Sequence, residues 1–181
     1  MKLTEETLSN DMVYDGRIIK VYNDEVKLPN GHISHREVVR HRGAVCVLPV
    51  TQDGYVYLVK QFRYPFADVL LEAPAGKLEE KENPYDCAMR ELREETGLTA
   101  GELVELGKMY VSPGYCDEVI HLFAAKDLSF GEQQPDEDEF LDVVRLPLSE
   151  VYSDVLNGKI PDAKTQLIIL KTVAMADRVQ I

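Results

Sequence analysis

The chain has 181 residues, 45% of them hydrophobic, and a formal net charge of −12 at neutral pH. This length suits one domain, or one domain with a small accessory piece, and the acidity argues against a nucleic-acid backbone or an anionic membrane as partner. Cys46, Cys87 and Cys116 are odd in number and too widely spaced for a disulfide framework or a CxxC zinc site.

Unpaired thiols suit a reducing cytosol, so a cytoplasmic protein is expected. The polar, acidic start MKLTEETLSND lacks the apolar stretch of a signal peptide. No run approaches the roughly 18 apolar residues of a membrane span.

Residues 17–41 are expected to form a β-hairpin, because RIIKVYNDEVKL and HISHREVVRH flank the turn signal Pro29-Asn30-Gly31. A lone hairpin is marginal and must pack on something. Residues 44–50 and 55–62 read as the next strands, joined at Asp53-Gly54. Residues 69–72 are a short apolar segment leading into Ala73-Pro74-Ala75-Gly76, and a helix follows. Residues 103–111 and 119–124 read as strands around Ser112-Pro113-Gly114-Tyr115. Residues 127–139 read as a polar, acidic loop, and 140–146 as a returning strand. Ser149 is expected to cap a helix that stops near Gly158, and Asp162 a final helix running to about residue 178. Mixed strands with three helices, in no regular βαβ order, predict an α+β fold or a sheet sandwiched between helices.

The helix after Gly76 is legible from its ends. Asn83 suits the N-cap and Pro84 the first helical position. Asp86 lies where the helix dipole favours an anion, and Gly97 suits the left-handed residue that ends a helix. Tyr85, Ala88 and Leu92 form one apolar stripe. Glu91, Glu94 and Glu95, at i, i+3 and i+4, share another face, and Glu82 comes within reach if the preceding loop folds back. Like charges at this spacing repel by about a few tenths of a kcal/mol per pair. Arg90 and Arg93 offer local partners, and a solvated acidic face is the plain reading. A bound hard cation is the other way to offset the repulsion.

The string Gly-x5-Glu-x7-Arg-Glu-Leu-x-Glu-Glu-x-Gly-Leu, from Gly76 to Leu98, resembles without departure the signature of the Nudix hydrolases. The resemblance implies an α/β/α sandwich around a mixed sheet over residues 42–181. Residues 1–41 would then be a small antiparallel β extension. It also implies an enzyme that cleaves a nucleoside diphosphate linked to another group, using two to three Mg2+ or Mn2+ ions. GAVCVLPV, VKQFRYP, LEAPAGKLE, YVSPGYCDE and DEDEF look like the ADP-ribose pyrophosphatase branch, as does Pro113, 15 residues past the motif. In that branch ADP-ribose and water give AMP and ribose 5-phosphate, and the N-terminal strands build a homodimer.

By that resemblance Glu91, Glu95 and Glu94 are metal ligands, together with the backbone carbonyl of Ala75. Glu82 supports the site, and Arg90 holds a carboxylate in place. In the acidic loop Glu139 is assigned to metal, and Glu137 is the general base, sharing the catalytic role with Glu94. Four adjacent acids leave that register open. Arg63 is expected at the diphosphate, since a guanidinium fork matches phosphate oxygens. Arg36 is a further substrate contact, serving a partner subunit's site, and Ser112, Gly114 and Glu118 lie at the terminal ribose. The adenine needs a stacking wall, for which Tyr14, Tyr22 and Tyr64 are unranked options. Another nucleotide sugar such as a GDP-sugar, a dinucleotide, or a nucleotide-sensing module without catalysis are the alternatives.

Overall fold

A computed structural model describes residues 3–135 and 139–180. Packing divides the chain into two units. One takes the chain up to Gly43 together with Tyr110–Val119, and the other Ala44–Met109 with the chain from Ile120 onward.

The first unit is a three-stranded antiparallel sheet of β1 (Glu6–Asp15), β2 (Lys20–Lys27) and β3 (Ile33–Arg40), in that order. The expected hairpin is β2–β3, in register from Lys20↔Arg40 to Lys27↔Ile33. Its turn closes through the Leu28 N–H on the His32 carbonyl (2.8 Å), with Gly31 at φ +86°. β1 was not foreseen from sequence. ETLSNDMVYD contains Asn and Asp, which strands avoid, and all ten of its residues are exposed. Backbone pairing to β2 holds it, not burial.

In the second unit β4 (Ala44–Pro49) is buried along its whole length. It pairs parallel with β9 (Val119–Phe130) and antiparallel with β7 (Ala75–Lys77), in a sheet of order β7-β4-β9-β8. Here β8 is Leu98–Tyr110. A second, antiparallel sheet has the order β10-β5-β6, with β10 at Leu141–Pro147, β5 at Tyr55–Arg63 and β6 at Asp68–Glu72.

Alternate residues of β4 serve two cores, the pattern of a strand covered on both faces. Cys46 and Leu48 join Leu122 and Ala124 of β9, together with Val151, Val155, Ile168 and Ile169. Those four belong to α2 (Leu148–Leu156) and α3 (Ala163–Ala174). Val45 and Val47 join Phe123 and Ala125 of β9, with Cys87, Ala88 and Leu92 of α1 (Pro84–Thr96). The mixed sheet is thus sandwiched between α1 and the pair α2 and α3, the expected α+β architecture.

Four elements differ in their bounds from expectation. β8 and β9 are longer than predicted, and β9 takes the first residues of the expected acidic loop. α2 starts at Leu148 after Pro147, so Ser149 lies within its first turn and does not cap it. The last helix breaks at Met175, leaving α4 (Ala176–Val179) as a short continuation. Among the described residues no helix is long and apolar enough to cross a membrane.

Candidate functional site

Both ends of α1 form as its sequence directs. The Asn83 Oδ1 accepts the Tyr85 N–H (2.8 Å) and Pro84 opens the helix. Gly97 closes it at φ +70°, donating its N–H to the Arg93 carbonyl (2.8 Å). Ala88 and Leu92 are buried as predicted, whereas Tyr85 is exposed and meets the Phe123 ring edge-on.

The acidic face is organised around Arg90. Its Nε and Nη2 donate to the two oxygens of Glu82 (both 2.9 Å), so the loop before the helix does fold back. Its Nη1 donates to Glu91 Oε1 (2.7 Å) and Glu94 Oε2 (2.9 Å). Glu82 also takes the Glu79 N–H (2.9 Å). Bonding to Arg90 drives the Glu82 carboxyl down to about 2, against the opposing effect of burial. The four-way arrangement draws three carboxylates around one cation.

Glu91 and Glu95 are buried, Glu94 only partly so. Burial pushes the Glu91 carboxyl up to about 6; Arg90 opposes this, and Glu94 and Glu139 reinforce it. Burial pushes Glu95 up to about 8; the Ala75 N–H opposes this, and Glu91 and Glu139 reinforce it. That N–H meets Glu95 Oε2 at 3.1 Å.

Gly76 seats the other carboxylate. A β-carbon there would lie 1.8 Å from the Glu91 carboxyl carbon and 2.0 and 2.2 Å from its oxygens. No left-handed turn requires this glycine. Its φ lies outside the left-handed region, and the requirement is space for a side chain.

This donor set fits a hard divalent cation. It offers carboxylate oxygens, two of them buried with their negative charge incompletely offset, which Mg2+ and Mn2+ prefer over nitrogen or sulfur. Among the described residues no group of three or more His, Cys, Asp or Glu side chains is arranged to hold a metal ion; Glu91 and Glu94 both accept from Arg90.

The chain after β9 is fastened to the end of α1. The Gly131 N–H donates to the Gly97 carbonyl (2.7 Å) and the Gln134 N–H to the Glu94 carbonyl (3.0 Å). Gln133 Nε2 donates to the Glu95 carbonyl (2.7 Å). These bonds hold residues 131–134 against the end of α1, and Glu139 acts electrostatically on both Glu91 and Glu95. Glu137, the expected base, lies outside the described residues.

Arg63 is bidentate to Glu72, with Nε to Oε1 at 2.6 Å and Nη2 to Oε2 at 2.7 Å. In the first unit Arg36 forms a fork with Glu5 (2.9 and 2.5 Å). Ser112, Gly114 and Glu118 lie on the segment that joins this same unit. The Ser112 carbonyl accepts the N–H groups of Tyr115 (3.1 Å) and Cys116 (2.9 Å). Glu118 Oε1 stands 3.4 Å from His41 Nδ1. Asp117 fixes the segment to β3, taking the His41 N–H (2.8 Å) on one oxygen and Arg40 Nη1 (3.2 Å) on the other. Of the stacking candidates Tyr14 and Tyr64 are exposed, and Tyr22 lies beneath the Arg40 guanidinium.

Sequence reasoning missed Glu72, Asp162, Lys164 and Thr165 as neighbours of the site. One signal was present: a carboxylate ending the apolar run VLLEAPA has to be paired if it is buried.

Residues 40–167 match the family model described as NUDIX domain, and residues 5–39 the one described as nucleoside diphosphate sugar hydrolase N-terminal domain. A Bacillus subtilis (strain 168) protein named ADP-ribose pyrophosphatase is 44% identical over 169 residues, 92% of this chain and 91% of the relative. A Bacillus methanolicus protein named methanol dehydrogenase activator is 42% identical over 167 residues, 91% of this chain and 90% of the relative. A solved structure of an ADP compounds hydrolase aligns with a TM-score of 0.85, covering 98% of this chain and 97% of that one. At 24% identity this likeness shows the shared fold.

Proposed function

Because this chain belongs to the NUDIX family, we propose that it hydrolyses the diphosphate linkage of a nucleoside diphosphate sugar. ADP-ribose is the foremost substrate, giving AMP and ribose 5-phosphate. The observation that carries the reading is the pair Glu91 and Glu95, two buried carboxylates seated on Gly76 and on the Ala75 N–H. Burial favours the protonated form of each, and a bound cation would favour the charged forms instead.

Nudix hydrolases generally use divalent metal ions. Here the proposed cofactor is Mg2+ or Mn2+, two to three ions, held by Glu91, Glu94, Glu95, Glu139 and the Ala75 carbonyl. Such ions neutralise diphosphate oxygens and lower the pKa of an attacking water. The chain's own residues do the rest. Glu137 takes the proton of the attacking water, Glu94 assists, and Arg90 keeps Glu91 and Glu94 oriented. Arg63, its fork set by Glu72, faces the diphosphate. Arg36, Ser112, Gly114 and Glu118 are the remaining proposed substrate contacts.

Residues 1–41 are the proposed dimerisation region and residues 42–181 the hydrolase domain. Support for a homodimer comes from β1, which exposes Leu8, Met12, Val13 and Tyr14 on a strand with nothing buried. The described chain shows three free thiols, as a cytoplasmic protein would have.

A panel of ADP-ribose, GDP-mannose and dinucleotides, with Mg2+ or Mn2+, tests the reading by the nucleotide released. AMP from ADP-ribose with either ion is the expected outcome. GMP from GDP-mannose alone would move the specificity, and no metal-dependent release from any of them would favour a nucleotide-sensing role.

A further inference from the structure

Glu72 ends β6 with 2% of its surface exposed. Besides the fork from Arg63 it is bonded by Lys164 Nζ, from the first turn of α3. Lys164 Nζ also donates to Asp162 Oδ1 (3.0 Å). The other Asp162 oxygen accepts the N–H (2.9 Å) and the hydroxyl (2.6 Å) of Thr165. The Thr165 oxygen in turn accepts the buried Ala73 N–H (2.8 Å), across 92 residues of sequence. Two anions and two cations thus close on one another, and their bonds run into residues 72 and 73.

Two further residues along lies the carboxylate face. The Pro74 carbonyl accepts the Val47 N–H (2.8 Å), and Ala75 pairs with Cys46 in the sheet. The Ala75 N–H holds Glu95, and Gly76 seats Glu91.

A plain helix cap accounts for less than this. Capping needs the Asp162 carboxylate and the Thr165 N–H. It does not need the Thr165 hydroxyl turned to Ala73, and it disfavours an ammonium in the first turn. A cation there opposes the helix dipole, and burying it adds a desolvation cost. Lys164 has only 13% of its side chain exposed and stands there regardless. Its position is explained by Glu72.

We propose that the first turn of α3 is a clamp that positions the metal-binding carboxylates. Lys164 and Thr165, oriented by Asp162, fix residues 72–75, and through the Ala75 N–H and the surface of Gly76 they set where Glu95 and Glu91 stand. These are positioning residues, acting through the strand. The inference rests on the reading of Glu91 and Glu95 as metal ligands.

The test compares Lys164→Met, Lys164→Arg and Thr165→Val with the wild type. In metal-free protein, hydrogen exchange should accelerate at the Ala73 and Ala75 amides in Lys164→Met and Thr165→Val, while core amides of β9 keep their rates. Mn2+ affinity and the kcat on ADP-ribose should each fall by about 10-fold or more, as for other groups that orient metal ligands, with KM changed less than about 3-fold. Lys164→Arg should recover most of both. Thr165→Val preserves shape and serves if Lys164→Met does not fold.

Unchanged Ala75 exchange with unchanged Mn2+ affinity would overturn the clamp, as would a uniform acceleration of every core amide. A wild type that turns over no nucleotide sugar, with Ala75 exchange and Mn2+ affinity still altered by Lys164→Met, would remove the pyrophosphatase reading and support the clamp.

Discussion

At position 76 a single methyl group would collide with the Glu91 carboxylate, so Gly76→Ala should displace that carboxylate while leaving the strand pairing intact. Turnover should fall by about as much as in Glu91→Gln or Glu95→Gln, by orders of magnitude if a metal ligand is lost, with the melting temperature moving by only a few degrees. Near wild-type turnover in Gly76→Ala would contradict the cradle. Glu91 and Glu95 also set a pH dependence. Each binds its proton more tightly folded than unfolded, where 4.5 is the reference value. The metal-free protein should therefore lose stability as pH rises from 4.5 through about 6 for Glu91 and about 8 for Glu95. Thermal melts across that window should slope downward, Glu95→Gln should flatten them, and Mn2+ should reverse the slope. The grouping of Glu91, Glu94 and Glu95 was legible because helical spacing alone fixes it. Which of them is buried was not, since that depends on β7 lying against the helix.

At the scale of elements, α1 was readable because its signals are local: Asn83, Pro84 and Gly97 each satisfy or bend backbone within one turn. Asn83→Ala should cost about 1 kcal/mol in a urea titration, the usual value of an N-cap. Gly97→Ala should cost more. It strains a left-handed residue, and its β-carbon would lie 2.7 Å from the Gly131 carbonyl, loosening the bonds that fasten the acidic loop. A loss of turnover beyond that of Asn83→Ala is the sign to look for. β1 was unreadable for the opposite reason. Leu8 stands apart and Met12, Val13 and Tyr14 run together on this exposed strand, so no apolar alternation marks it, and only its partner β2 defines it. Pro147 likewise outranked Ser149 at the start of α2, where the Leu148 N–H finds its acceptor in the distant Gly54 carbonyl.

For the molecule as a whole, the order of elements predicted an α+β fold or a sheet sandwiched between helices, and the family resemblance implied the sandwich around a mixed sheet; the burial of β4 along its whole length fits a strand covered on both faces. The assembly state is the prediction at this scale. Met12→Glu with Val13→Asp on the exposed β1 should shift the protein from dimer to monomer by light scattering, and a monomeric wild type would refute the proposed dimer. Lys159→Ala, which breaks an exposed pair with Asp154, should leave the melting temperature essentially unchanged.

The bond from Ala73 to Thr165, 92 residues apart, also orders events in time. At roughly 5–20 residues per second of synthesis, the ribosome makes Ala73 roughly 5–18 seconds, and the end of the carboxylate helix roughly 3–14 seconds, before Thr165. A nascent chain therefore carries every acid of the signature motif before it carries a finished site. Closing so long a loop falls late in the folding of a topology rich in non-local contacts. On the proposed clamp, the start of α3 completes a site whose carboxylates are made earlier.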